Sequence, residues 1–385
     1  MGNELSKEQL EIKEKLGQIV DIFNYRYIKA NTKSKKRLIA SDLLLLSSIC
    51  EKYFPYFEFD ISWSNDDTLY KDTILSYCKY VMNIVSNQEK YLRIFKSSSK
   101  QILSTNPNVY KYYGKDYPIH ALNDLEEVFY DFLNTFSPKL CNEYKNMEEK
   151  GNIFLVPVED YDGQNYSFSI LNDTMIFLDQ TLNDSVELYG ILSHELGHSY
   201  EASLYLHNHK IREYDRTINS PFYEVSSSFL EYAYINYLIE NNIYKEEGRM
   251  LLHDYIMSLL IHSIYSVAIC RIPNITVNVD DKMQISIERS KYYLECLQKD
   301  YNIHAIPGDN KVSLRDSFIY GFGQLFSIYM YENYKKDPKY FIKEFDKALL
   351  DYSFSEDISS FKRVGASYEE LVRGEALKRV LTKIN

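Results

Sequence analysis

The segment Ile191-Leu-Ser-His-Glu-Leu-Gly-His-Ser-Tyr200 constrains the local fold more tightly than any other part of this 385-residue sequence. Its two histidines, His194 and His198, are four residues apart. An apolar helical face that starts at Leu188 continues into the segment, which favours an α-helix here. Because residues four apart on a helix project from the same face, both imidazoles are expected to point toward one place.

The chain before this helix changes its hydrophobic period near Gly151. Three short β-like runs follow, separated by turn residues: Ile153–Val156, Tyr166–Ile170 and Met175–Leu178. Asp184 and Glu187 then have the spacing of a capping box, which signals a helix start. These patterns predict a small three-stranded sheet directly before the helix that carries the histidines.

Most of the remaining chain has the period of amphipathic helices, so the predicted fold class is mainly α. Ser6 and Gln9 form a capping box before an apolar stripe, and Pro138 stands at a helix boundary. We divide the chain into a helical N-terminal lobe, residues 1–150, and a second lobe, residues 151–385, with the sheet and the histidines. No flexible linker separates the lobes, so we expect them to pack together.

Two imidazoles on one helical face are typical of a zinc site. Neutral imidazoles bind Zn²⁺ without cancelling its charge, and zinc lowers the pKa of a water ligand to about 7. Glu195 stands next to His194, where its carboxylate can accept the proton of that water. We predict one Zn²⁺ per chain, bound by His194 and His198, with Glu195 as general base.

A catalytic zinc usually takes a third protein ligand. The downstream carboxylates are Glu201, Glu213, Asp215, Glu224 and Glu231. Glu201 follows His198 too closely on the same helix to reach back well, and the next two lie in a charged, loop-like stretch. Ser220-Pro221 is typical of a helix start, which would place Glu224 in the opening turns of a second helix. If that helix crosses the first, Glu224 can reach the zinc, and Glu231, nearly on the same face, can support the ligands from behind.

Charge and cysteine content limit the partners and the compartment. The 44 basic and 55 acidic residues give a net charge of −11 without a basic stripe, so we expect no nucleic-acid partner. Five widely spaced cysteines without a Cys-x-x-Cys pair favour a reducing compartment. The polar N-terminus is unlike a signal peptide, and the longest apolar run, Met257–Cys270, is too short for a membrane span. We therefore expect a cytoplasmic protein.

The motif and its surroundings resemble the thimet oligopeptidase and oligoendopeptidase F family of zinc peptidases. The resemblance extends from about residue 120 to the end. It rests on the following segments: His194–His198, Phe222–Glu231, Tyr320–Gly323, Tyr334–Pro338, Ala348–Leu350 and Val364–Gly365. It implies a two-lobed, helical, zincin-type peptidase with a substrate channel between the lobes and Glu224 as the third ligand. It also implies that the strand through Ile170-Leu-Asn172 is an edge strand that binds extended peptide.

The sequence departs from the family in two respects. The chain is much shorter than the usual enzymes, which implies a reduced N-terminal lobe. The family carries a histidine and several tyrosines in and after a glycine-rich loop, whereas residues 313–327 contain no histidine and a single tyrosine, Tyr320. The resemblance implies that Tyr320 stabilises the oxyanion of the transition state, and that His304, from a longer loop, replaces the missing histidine.

We therefore expect an endopeptidase that hydrolyses internal bonds of peptides or unfolded segments. A first alternative is a dipeptidyl- or carboxypeptidase, which needs a basic pocket built from a residue such as Arg212, Arg271 or Arg315. A second alternative is an inactive, metal-bearing peptide-binding protein. The single tyrosine in residues 313–327, where the family has several, favours that alternative, whereas the intact Glu195 opposes it.

Overall fold

A computed structural model describes residues 6–32, 89–105, 116–156, 165–170, 173–179, 184–207, 222–269, 314–351 and 365–384, with a few single positions between them. These residues are mainly helical, with one small sheet. The helices are α1 (Lys7–Lys29), α2 (residues 89–105), α3 (Leu122–Phe136), α4 (Pro138–Glu149), α5 (Val186–His207), α6 (Val225–Asn241), α7 (Lys245–Ile269), α8 (Leu314–Lys336), α9 (Pro338–Leu350), α10 (Tyr368–Arg373) and α11 (Glu375–Ile384). The mainly α fold class is thus confirmed.

The capping signals at the first predicted helices are confirmed. At the start of α1, the backbone N of Gln9 donates to Oγ of Ser6 at 3.1 Å, and the backbone N of Ser6 donates to Oε1 of Gln9 at 2.8 Å. Pro138 is the first residue of α4, where its missing N–H leaves no hydrogen bond unmade. Ser137 caps this helix by accepting from the backbone N of Leu140.

The predicted sheet is also confirmed, with strands β1 (Ile153–Val156), β2 (Tyr166–Ile170) and β3 (Asp173–Asp179). Its order is β1-β3-β2. β3 is parallel to β1 and antiparallel to β2, with Ile176 opposite both Ile153 and Ser167. Among the described strands β2 pairs with β3 alone, so it forms an edge of the sheet.

The start of α5 differs from the prediction. The expected capping box of Asp184 and Glu187 is wrong, because Asp184 has a left-handed backbone with φ of 59°, unlike the extended N-cap conformation, and Ser185 stands between it and the first helical residue. Ser185 takes the capping role instead, since its Oγ accepts from the backbone N of Leu188 at 3.4 Å. The helix begins at Val186.

Helix α5 lies in the core and contacts β2, β3, α6 and α7. An unbroken stripe of buried residues at every fourth position follows one side of it: Leu188, Leu192, Leu196, Tyr200 and Leu204. Phe129 of α3 and Tyr144 of α4 belong to the same hydrophobic cluster as Leu196. Residues on both sides of position 150 therefore share one core, while the division into two lobes stays a prediction.

One described helical segment, Lys245–Val267 in α7, is long and apolar enough to cross a membrane. However, 72% of its most apolar 18 residues are buried inside the protein. Core helices have this same property, so the segment is weak evidence for a membrane span.

Candidate metal centre

Two glycines allow three helices to approach closely at one place. A Cβ atom at Gly197 of α5 would lie 2.5 Å from Cα of Ser227 in α6, well inside van der Waals contact. A Cβ atom at Gly323 of α8 would lie 2.3 Å from the carbonyl oxygen of Glu224. Because only glycine fits at both positions, α5 and α8 contact the start of α6 from two directions.

This approach brings the predicted ligands together. Oε2 of Glu224 lies 3.0 Å from Nε2 of His194 and 3.1 Å from Nε2 of His198. One ligand atom from each of the three residues lies within 4.8 Å of the other two. The Glu224 side chain is only 2% exposed, whereas the two histidines are partly exposed. The three residues thus form a small donor cluster that could hold a metal ion.

Glu224 reaches the histidines from a position that the sequence did not indicate. It is the N-cap residue of α6, and the helix begins at Val225, four residues after the start predicted at Pro221. The expected start at Ser220-Pro221 is wrong because residues 222–224 form a turn, closed by a hydrogen bond from the backbone N of Val225 to the carbonyl of Phe222. Ser220 and Pro221 themselves lie outside the described residues.

Glu231 supports the cluster from behind. Its Oε2 lies 2.9 Å from Nδ1 of His194, the ring nitrogen that faces away from Glu224. A carboxylate that accepts the Nδ1 proton fixes the ring and leaves Nε2 free to bind a metal. On the other side, Oγ of Ser227 donates to Oε2 of Glu224 at 2.8 Å. These contacts orient two of the three candidate ligands.

Burial and charge act in opposite directions on the ionisable groups of the cluster. Burial alone would raise the pKa of Glu224, but the charge of His198 and hydrogen bonds from both histidines outweigh it and lower that pKa strongly. Burial disfavours the charged form of His194, yet hydrogen bonds to Glu224 and Glu231 raise its pKa well above the usual value. The cluster therefore strongly favours a positive charge, which a proton supplies when no metal cation is bound.

The residues fit a metal ion. Two imidazole nitrogens and one carboxylate oxygen, largely buried and in mutual reach, are the ligand set of many catalytic zinc sites. Glu195, next to His194 in the chain, is buried as well. Burial raises the pKa of the Glu195 carboxyl, and the two histidines oppose this effect. A carboxylate whose pKa is raised is a stronger base than an exposed one.

Two tyrosines flank the histidines. The Tyr320 ring is nearly parallel to that of His194, with 6.3 Å between centroids and an angle of 23°. The Tyr223 ring lies 4.9 Å from that of His198 at 32°. The structure thus places the predicted Tyr320 beside the cluster. The structure also places Tyr223 beside the cluster. In the sequence, only its position next to Glu224 could have indicated this.

Other predicted residues lie elsewhere. Glu201 is buried outside the donor cluster, where its Oε2 accepts from Oγ of Ser226 at 2.5 Å. Of Arg315, in α8, only the backbone is described. Five further residues named from the sequence lie outside the described residues: Arg212, Glu213, Asp215, Arg271 and His304.

The edge strand runs beside the cluster. Oγ of Ser167 in β2 lies 2.7 Å from Oγ of Ser199, the residue after His198. Since β2 pairs with β3 alone among the described strands, it is an edge strand of the described sheet. An extended segment added at this edge would pass close to the candidate metal centre.

Comparison with known proteins finds similarity at the level of the fold. No protein-family model and no curated protein sequence matches the chain. A candidate oligoendopeptidase F from Bacillus anthracis strain Ames aligns with 96% of this chain and 68% of its own, at 15% identity and a TM-score of 0.52. PZ peptidase A with an inhibitor aligns with 98% of this chain and 75% of its own, at 13% identity and a TM-score of 0.53. A second candidate oligoendopeptidase F aligns with 98% of this chain and 74% of its own, at 13% identity and a TM-score of 0.55. The chain therefore has the mainly helical fold of these oligoendopeptidase F and PZ peptidase structures.

Proposed function

We propose that the protein is a zinc-dependent peptidase that hydrolyses internal bonds of peptides or unfolded protein segments. The observation that carries this proposal is the buried cluster of His194, His198 and Glu224 with the Glu195 carboxyl beside it. The fold supports it, because the structures to which the chain is similar are peptidases.

Each residue has a separate role in the proposed hydrolysis. His194, His198 and Glu224 hold the zinc, and Glu231 fixes the ring of His194 through Nδ1. When bound, zinc would supply Lewis-acid chemistry, acidifying a water molecule and polarising the scissile carbonyl. Glu195 accepts a proton from the attacking water and then donates it to the leaving amine. Burial raises the pKa of its carboxyl, which makes the carboxylate a stronger base toward the water proton in the first step.

The surroundings of the cluster favour an extended peptide as substrate. Among the described strands β2 lies at the edge of the sheet, and an edge strand can bind an extended chain through backbone hydrogen bonds, a recognition mode that depends little on side chains. The ring of Tyr320 lies nearly parallel to that of His194, and the Tyr320 hydroxyl can donate a hydrogen bond to the developing oxyanion. Such a donor is typically worth about 3 kcal/mol of transition-state stabilisation. The cytoplasm is the proposed compartment.

The test is cleavage profiling on a mixed peptide library, with Glu195→Gln protein as the matched control. We expect internal cleavages that stop on removal of zinc and return when zinc is restored. Glu195→Gln should keep its zinc by elemental analysis and lose about 100-fold or more of the turnover, because proton transfer fails. Release of terminal residues or dipeptides alone would assign an exopeptidase. Absence of any cleavage by the zinc-loaded protein would contradict the proposal and leave a binding protein.

A further inference from the structure

Tyr320 is stacked with two histidines from different helices. Its ring lies at 23° to that of His194 in α5, and at 22° to that of His262 in α7, with 5.3 Å between the latter pair of centroids. Tyr320 itself belongs to α8. His262 is thus the ring that links the candidate metal centre to α7, and nothing in its local sequence indicates this position.

The helices are closely packed around Tyr320. A Cβ atom at Gly321, next to Tyr320, would lie 2.7 Å from Cε1 of Phe95 in α2 and 3.4 Å from Cβ of His262. Because Gly321 has no side chain, Phe95 of α2 packs directly against α8 here, and His262 of α7 lies at ordinary van der Waals distance from the same position. The tight packing leaves the two rings little freedom relative to each other.

The histidine is poorly suited to a purely structural role. Its Nδ1 atom is fully buried and has no hydrogen-bond partner among the described residues. Burying such an atom is unfavourable, so a residue without it would pack here at lower cost. Burial also lowers the pKa of His262 to about 4, although the charge of Glu224 opposes the shift. The imidazole is therefore neutral near pH 7 and contacts Tyr320 as a flat, uncharged ring.

We propose that His262 is a positioning residue, which holds the Tyr320 ring in its nearly parallel orientation beside the ring of His194. This role rests on the proposed function, because the hydroxyl matters only if an oxyanion forms there. His262 acts through Tyr320 and touches neither substrate nor metal. Its effect should therefore depend on the Tyr320 hydroxyl and on the shape of the ring at position 262.

The kinetic test combines variants at both positions. His262→Ala should lower kcat by about 10- to 100-fold and change KM little, because a catalytic group displaced by about 1 Å loses that much. His262→Phe, which keeps a flat ring without nitrogens, should restore most of the loss. In the Tyr320→Phe protein, His262→Ala should lower kcat no further, since no hydroxyl remains to be placed. The control is His253→Ala, a buried histidine of the same helix, about 13 Å from His262 along the axis.

Three kinetic results would overturn the proposal. An unchanged kcat in His262→Ala would show that Tyr320 needs no support from this ring. Additive losses in the double variant would show that His262 acts independently of the hydroxyl. A Phe variant as impaired as the Ala variant would assign the effect to the ring nitrogens and make His262 a proton-transfer or hydrogen-bonding group.

A second readout needs neither zinc nor turnover. With Tyr320→3-fluorotyrosine, the metal-free protein should give one narrow ¹⁹F resonance. His262→Ala should broaden or split it, His262→Phe should keep it narrow, and His253→Ala should leave it unchanged. A narrow single resonance in His262→Ala would contradict the positioning role whatever the activity. If the wild type cleaves no peptide, the proposed function fails, and the fluorine spectrum still decides whether His262 orients Tyr320.

Discussion

Gly197 is the position at which a single added methyl group tests how the metal centre is built. A Cβ atom there would lie 2.5 Å from Cα of Ser227 and 2.6 Å from the carbonyl oxygen of Ser226. Ordinary contact begins at 3.4 Å, so the difference of 3.4 − 2.5 = 0.9 Å must come from separation of α5 and α6. Overpacking of this kind costs about 1–3 kcal/mol. Zinc ligands tolerate displacements of only about 0.2 Å, so Glu224 would no longer bind well.

We therefore expect Gly197→Ala to lower zinc affinity by about 10- to 100-fold, comparable to losses on disturbing the support of a ligand. Gly190→Ala is the matched control, because it lies in the same helix and its Cβ would meet only the Leu251 methyls, the nearer at 3.3 Å. That variant should bind zinc as wild type does and differ in stability by about 1 kcal/mol or less. Competition with a chromophoric chelator gives the affinities, and urea denaturation of the metal-free proteins gives the stabilities. Equal zinc affinity in Gly197→Ala and wild type would show that the close contact of α5 with α6 is not needed to position Glu224.

Two further predictions concern the carboxylates near the histidines. Glu231→Gln should weaken zinc binding by about 10- to 100-fold, because it only loosens His194. Glu224→Ala should weaken zinc binding more, because it removes a ligand. If chelator competition ranks the two variants in the reverse order, their roles must be exchanged. Burial raises the pKa of Glu201 from 4.5 to about 7 in the metal-free protein, although the hydrogen bond from Ser226 acts to lower this pKa. The unfolded chain loses this proton at lower pH, so the group should reduce the free energy of unfolding as pH rises from about 4.5 to about 7, by up to about 3 kcal/mol. Urea denaturation across this range should show a flatter profile for Glu201→Gln, and an unchanged slope would contradict the assignment.

Features set by local patterns could be predicted from the sequence. The capping box of Ser6 and Gln9 and the three strands depend on residues close in the chain, and the structure has them where predicted. The spacing of His194 and His198 places them on one helical face, and Glu224 lies with them as predicted, although it caps α6 and is not within that helix. β3 is longer than predicted, because Asp173 and Asp179 gain partners in β2 and β1 that periodicity cannot show.

Features set by contacts between distant elements could not be predicted. Asp184 has the sequence signature of a helix cap, yet its left-handed backbone excludes it from the helix. His262 carries no sequence signal, since it meets Tyr320 from a different helix, and Tyr223 is indicated only by its position next to Glu224. Gly197 stands within the histidine motif, but its close contact with Ser227 becomes evident only when α6 is in place.

Peptide hydrolysis is expected to depend on one zinc ion bound by His194, His198 and Glu224. The most direct measurement is turnover of a cleaved peptide during titration of metal-free protein with zinc. We expect no activity at first, a linear rise, and a break at one zinc per chain. Glu195→Gln should bind the same single equivalent and stay inactive. Turnover by the metal-free protein, or full zinc binding by His194→Ala with unchanged activity, would contradict the account.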